Sequence, residues 1–474
     1  MGGVVAAGHP LTAEAGAEVL RAGGNAVDAA VCAALASFAV ESPLTGFGAG
    51  GFIMVHRGEE TVLFDFFVAA PGLDGDARGT ELVPVPVRFD AETVQTFFVG
   101  PASCGVPGTA AGLERALDRF GSVPLAELVG PGIRLAREGA PVNAEQAYIL
   151  EILAPIQARL PGTRELYAPA GRTLREGEVF RFAELAEALE RFGAEGAEPF
   201  YRGEVAAALS EYTLGRGGTI GPGDLAAYEA IERKPIRAPF RGTEVLTNPP
   251  PSAGGTLIAY SLEVLERLGE YSGPEQLVEA IGAANDARGD LLGSTTHLSV
   301  IDRDGMCASM TCSNGSGSGV LVPGTGVVLN NMLGEEDLNP LGFHRIAPGR
   351  RVPSMMAPTV VLRDGEIELG LGSAGSNRIR SAILQTVVRA IEEGMPAAEA
   401  VRAPRLHFED GIVQAEPGVD EEALARIEAR GLRVARRPAI NLFFGGVQAV
   451  ARDPKTGALS GGGDPRRGGA VATA

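Results

Sequence analysis

The chain opens on two alanine-rich stretches, residues 12–20 and 26–39, separated by Gly23-Gly24-Asn25, and this pattern predicts two helices. The second is apolar on nearly every side, which predicts burial between layers. Apolar runs then shorten to Phe52-Ile53-Met54-Val55 and Thr61-Val62-Leu63-Phe64 around Arg57-Gly58-Glu59-Glu60, the signature of a hairpin. From residue 113 to 264 amphipathic helical stretches dominate, 182–192 and 204–212 among them, with one strand-like run at 243–246. Strands return at 298–301, 307–312, 359–362 and 367–371, and helices follow at 379–393, 397–401 and 421–430. Sheet-forming pieces thus lie towards both ends, with helices between and neither a tandem repeat nor a low-complexity linker. That arrangement predicts one composite core.

Length alone, 474 residues, suggests two or three domains, so the composite core is the sharper expectation. A content of 45% hydrophobic and 21% charged residues is globular. The net charge of −18 argues against nucleic acid or an anionic membrane as a partner. Cys32, Cys104, Cys307 and Cys312 show no zinc or redox spacing, and the last two read as small core residues. His9, His56, His297, His344 and His407 show no metal-ligand spacing either, so no metal is expected. The longest mainly apolar run, residues 29–40, is too short to span a bilayer and has no basic flank of a signal peptide. A cytoplasmic location is the expectation.

Two motifs invite chemistry. Gly46-Phe47-Gly48-Ala49-Gly50-Gly51 satisfies the dinucleotide fingerprint, but a helix precedes it and a strand follows, the reverse of what the fingerprint needs. Close backbone packing is the expected use of these glycines, and no cofactor is implied. The second motif is Thr295-Thr296-His297-Leu298-Ser299-Val300, which follows Gly293-Ser294 and reads as a strand. A threonine opening a strand becomes a nucleophile if the peptide bond before it is cut, with its own α-amine as base. That amine has a pKa of about 7.7–8.0, close to working pH.

Thr295-Thr296-His297-Leu298-Ser299-Val300-Ile301-Asp302, with Asn330-Asn331 downstream and Asp464-Pro465-Arg466-Arg467 near the end, resembles the gamma-glutamyltransferase family of N-terminal-nucleophile hydrolases. The resemblance covers nearly the whole chain. It implies a four-layer α/β/β/α sandwich and self-cleavage between Ser294 and Thr295, giving segments 1–294 and 295–474 that stay associated. It also implies that Thr295 attacks the acyl carbon and that Ser313 hydrogen-bonds the nucleophile. Backbone amides of Gly375 and Ser376, matching a Gly-Gly pair, would hold the oxyanion, serine being tolerable there at negative φ. Asn314 matches a substrate-contacting asparagine, and Ser354 the first of two serines beside the substrate carboxylate. The C-terminal Asp-Pro-Arg-Arg run is expected to be structural.

The departures fall in the substrate grip. An Arg-Glu pair of the family is replaced by Phe67 and Val68, a glutamine by Met332, an aspartate by Glu335, and the second serine by Met355. Burying a carboxylate without a partner costs several kcal/mol or more, and phenylalanine offers none of arginine's paired donors. A pocket of Phe66, Phe67, Met332 and Met355 is therefore expected to favour a less charged acyl group, while Glu335 retains the means to hold an amine. The leading expectation is a threonine amidohydrolase or acyltransferase acting on a small-molecule acyl donor, with water or an amine as acceptor. True gamma-glutamyl transfer, an acylase or carbon–carbon bond hydrolase for secondary metabolites, and an inactive binding protein remain open, as does assembly into a homo-oligomer.

Overall fold

The computed structural model describes residues 2–75, 81–88, 94–286 and 295–474. Two antiparallel sheets dominate it. The first has seven strands in the order Ala470–Thr473, Gly3–Ala7, Thr296–Asp302, Cys307–Ser313, Gly50–Arg57, Glu60–Phe66 and Ile231–Arg233. The second has six, in the order Leu459–Gly463, Gly446–Arg452, Glu366–Ala374, Thr359–Arg363, Thr243–Thr247 and Ile236–Phe240.

Side-chain alternation in the Thr296–Asp302 strand separates two cores, as the period of a strand requires. Leu298 and Val300 point to a core shared with the helices Pro10–Arg21 and Ala26–Val40. Ile301 belongs to a second core that runs between the sheets and on to the helices Ala253–Leu268 and Arg378–Ile391. This is the four-layer α/β/β/α sandwich. Every residue of Ala26–Val40 is buried, as its all-round apolarity predicts, and Asn25 closes its N-terminus with a reciprocal capping box to Asp28.

The glycines at 46–51 serve packing. A Cβ on Gly48 would lie 2.0 Å from the Val328 carbonyl oxygen, and one on Gly51 would lie 2.2 Å from that of Thr311. Gly50 and Gly51 open a strand and not a helix, so the dinucleotide reading has no structural basis. All four cysteines are free and buried. Among the described residues, no helix is long and apolar enough to cross a membrane.

Strands from both sides of position 295 interleave. Gly3–Ala7 lies between Thr296–Asp302 and Ala470–Thr473, while Thr243–Thr247 pairs with Thr359–Arg363. The nucleophile candidate therefore sits inside a shared sheet.

Candidate active site

Thr295 directly precedes the third strand of the first sheet and is 3% exposed. Thr296 pairs with Cys312, so one further step along the ladder brings Thr295 beside Ser313. Thr296 turns to the helix layer, where its hydroxyl donates to Glu41 Oε2 at 2.6 Å. Thr12 donates to the other oxygen of that carboxylate at 2.8 Å. Burial pushes the Glu41 carboxyl above the usual carboxylate range, against those two hydrogen bonds. Glu41 thus anchors the start of the Thr296–Asp302 strand, a role with no signal in the sequence.

His297 points between the sheets. Its ring nitrogens pair with Thr311 Oγ1 at 2.8 Å and Ser299 Oγ at 2.9 Å, and a Cβ on Gly372 would strike the ring at 2.3 Å. Burial lowers its pKa to about 3, so the ring is neutral and acts as a packed spacer between the sheets.

A cavity opens at Thr295. Its wall combines Glu41, Ser42 and Leu44 with Val142, Leu150, Tyr167 and Phe180, and closes with Ala374, Gln448 and Arg467. Ala374 ends the strand that leads into Gly375-Ser376, and the helix Arg378–Ile391 starts just beyond. Thr295 and Ala374, the residue before the Gly375-Ser376 turn, therefore approach one cavity from different sheets. Gly375 has φ +120° and Ser376 φ +56°, so the serine occupies the left-handed region and not the negative φ expected of it. Asn377 follows at φ −57°. A left-handed residue followed by a right-handed one turns successive amides the same way, the geometry of an anion nest, and the helix N-terminus adds its dipole. The strain at a non-glycine residue here is of order 1 kcal/mol.

Beyond Ser313 the chain turns into a sealed polar nook. Asn314 is fully buried, and neither its Oδ1 nor its Nδ2 has a hydrogen-bond partner. Asn331 Oδ1 and Glu335 Oε2 are equally unpartnered, although Glu335 Oε1 accepts from the Ser316 amide at 2.9 Å. Gly315 gathers the group, because a Cβ there would lie 2.2 Å from Asn331 Oδ1 and 2.5 Å from Glu335 Oε1. Unsatisfied buried polar atoms cost about 1–3 kcal/mol each, so such a cluster is an unusual feature of a native interior.

Burial raises the Glu335 carboxyl to about 8, against the Ser316 amide. Below about pH 4.5 the carboxyl is protonated in folded and unfolded chains alike, and the cost of burying its charge is absent. From there to about pH 8 only the unfolded chain ionises, so stability falls as pH rises and levels off above that range. Glu335→Gln is expected to gain melting temperature over the wild type progressively across this window. Thermal melts at matched processing state check it, and a pH-independent difference between the two proteins contradicts it.

The remaining expected site residues lie elsewhere. Phe67, Met332 and Met355 are 1–3% exposed, belong to the core between the sheets, and do not line the cavity at Thr295. Phe67 stacks on Phe52 with ring centres 5.5 Å apart. Phe66 faces the opposite core, so it is not part of a pocket with them. Ser354 is buried, with its hydroxyl accepting from the Met356 amide at 3.1 Å. Two arginines do approach this region, but Asp65 holds Arg233 at 2.7 Å and Arg351 at 3.2 Å. The C-terminal motif divides. Asp464 and Arg466 are structural, with Asp464 bound to Arg405 at 2.7 Å and Arg466 paired to Glu416, whereas Arg467 reaches the cavity. Among the described residues, no group of three His, Cys, Asp or Glu side chains is placed to hold a metal ion.

The family model for gamma-glutamyltranspeptidase matches residues 12–293 and 280–474. The chain belongs to the gamma-glutamyltranspeptidase family. A Bacillus subtilis glutathione hydrolase proenzyme is 30% identical over 99% of this chain and 91% of its own length. An acylase proenzyme, ACY 1 of a Pseudomonas strain, is 32% identical over 97% and 91%. The crystal structure of cephalosporin acylase from Bacillus halodurans superposes with a TM-score of 0.86 at 26% identity, covering 100% of this chain and 96% of that one. As a gamma-glutamyltranspeptidase family member, the chain is an enzyme of the hydrolase and transferase type with the N-terminal-nucleophile fold.

Proposed function

We propose that this protein is a self-processing threonine amidohydrolase whose acyl-enzyme forms on Thr295 and whose acyl site is not built for a glutamyl group. One observation carries the reading: Thr295 and Ala374, the residue before the Gly375-Ser376 turn, share one cavity though they come from opposite sheets. Ser294, on the other side of the expected cut, lies outside the described residues. Once the bond between Ser294 and Thr295 is broken, the freed α-amine takes the proton of the Thr295 hydroxyl as that oxygen attacks the substrate carbonyl. The Gly375 and Ser376 amides receive the negative charge. The protonated α-amine gives its proton to the departing amine, and water then resolves the ester by the reverse path. The orphaned polar atoms of Asn314, which follows Ser313 in the chain, and of Asn331 and Glu335 supply partners for the acyl group.

Asn314, Asn331 and Glu335 supply no cation for an α-carboxylate, and Asp65 holds the arginines Arg233 and Arg351. Gamma-glutamyl-p-nitroanilide is therefore expected to be a poor substrate, failing mainly through KM, against an analogue that lacks the α-carboxylate. A comparison of kcat/KM for the pair on processed enzyme tests this. A clear preference for the glutamyl compound would hand the case to true gamma-glutamyl transfer.

A further inference from the structure

Two polar regions flank the strand start at Thr295, the nook beyond Ser313 and the cavity that Thr295 lines, and they meet at Leu44, whose carbonyl accepts from the Asn314 amide. The nook of Asn314, Asn331 and Glu335 is sealed, at 0–2% exposure, whereas the cavity walled by Tyr167, Phe180 and Arg467 opens to solvent. An acyl-transfer site needs both kinds. The acyl group must stay through the covalent intermediate, and the amine must leave. The open cavity suits the amine half.

Arg467 is the cation in the wall of that cavity, which also contains Glu41 and Glu145. Its Nε is buried without a partner, and among the described residues no ion pair engages its guanidinium. Glu145 lines the same cavity, and two further carboxylates near Arg467 are already committed. Asp464 is held by Arg405 at 2.7 Å and Arg466 at 3.1 Å, and Glu41 receives hydroxyls from Thr296 and Thr12. One terminal nitrogen of Arg467 lies 3.8 Å from where a Cβ on Gly375 would stand, so the cation borders the turn at which the scissile carbonyl must sit. Burial lowers the Arg467 pKa to about 10, which still leaves it charged at neutral pH. A buried guanidinium with an unpartnered Nε is costly, and its planar donors match a carboxylate.

We propose that Arg467 receives a carboxylate carried by the amine half of the substrate, so that the scissile amide joins an acyl group to an acidic amine. The proposal rests on Thr295 as the nucleophile. The reaction is otherwise unchanged: the Thr295 oxygen–carbon bond forms, the carbon–nitrogen bond breaks, and the hydroxyl proton passes by the α-amine to the departing nitrogen. The ion pair is equally present before and during attack, so it acts mainly on KM.

Two matched pairs of chromogens test it: butanoyl and gamma-glutamyl 4-nitroanilides against the same acyl groups on 3-carboxy-4-nitroaniline. Processed wild-type enzyme is expected to favour the carboxylated leaving group by roughly tenfold or more in kcat/KM, as for a hydrogen bond to a charged group. Arg467→Met is expected to erase the preference and Arg467→Lys to keep part of it, with two bands on a denaturing gel showing that each variant has matured. Equal turnover of both leaving groups by wild type overturns the proposal while leaving Thr295 as nucleophile, and this comparison decides even where a variant fails to mature. A preference that survives in Arg467→Met overturns it as well. Absence of turnover with all four compounds, together with no acyl mass on the fragment beginning at Thr295, removes the nucleophile reading and the proposal together.

Discussion

Thr295→Ala is expected to remain a single chain and to have no measurable turnover, the largest effect of any substitution in this protein. Wild type should run as two bands on a denaturing gel, corresponding to residues 1–294 and 295–474, yet migrate as one species under native conditions. Both losses have one origin. On the proposed mechanism one hydroxyl attacks the Ser294 carbonyl during maturation and later attacks substrate, and alanine removes it from both steps. Fold stability should change little, because Thr295 precedes its strand and the ladder pairs from Thr296 onward remain. N-terminal sequencing of the smaller wild-type fragment provides the decisive measurement. A start other than Thr-Thr-His-Leu, or an alanine variant that still splits at this point, would rule out the assignment. A single unprocessed wild-type band would instead support a binding protein that has kept the fold.

Gly375→Pro is expected to reduce kcat by about 10²–10³, the usual consequence of losing one preorganised oxyanion donor. Proline removes the amide hydrogen and also fixes φ near −65°, whereas Gly375 has φ +120°, so the loss should reach the upper end of that range. Ser376→Gly is the matching control. It keeps the amide and relieves the strain of a serine at φ +56°, so activity should stay within a few-fold of wild type and melting temperature should not fall. Steady-state kinetics on the two processed variants separates donor loss from a general disturbance of the turn. If Gly375→Pro matched wild type in kcat, the oxyanion would have to be held elsewhere.

Much of this fold was readable because its elements carry strong local patterns. The buried helix Ala26–Val40, the hairpin of Gly50–Arg57 and Glu60–Phe66, and the strands around Thr295 all lie where hydrophobic spacing puts them. Gly3–Ala7 and Leu459–Gly463 were not singled out, since glycine and alanine have little strand preference and only the neighbouring strands hold them in place. The expectations for Thr295 and the Gly375-Ser376 turn could be drawn because both rest on short contiguous motifs. The substrate side was not legible in this way. Phe67 and Met355 are apolar substitutions whose consequence depends on whether they face a cavity or the core, and no local pattern distinguishes the two. Arg467 escaped for a related reason: in a tight turn adjacent side chains diverge, so Arg466 enters a buried ion-pair network while its neighbour lines the site.

The pairing of Gly3–Ala7 with Ala470–Thr473 has a topological consequence. It brings the two ends of the chain together, with the Gly2 amide donating to the Ala474 carbonyl and the Ala474 amide to that of Gly3. A short linker across this junction would close the polypeptide into a ring without crossing any other strand. Opening that ring at residue 295 gives a circular permutant in which the threonine amine is supplied by translation and methionine removal, so that chemistry at the site could be studied apart from the event that normally exposes it.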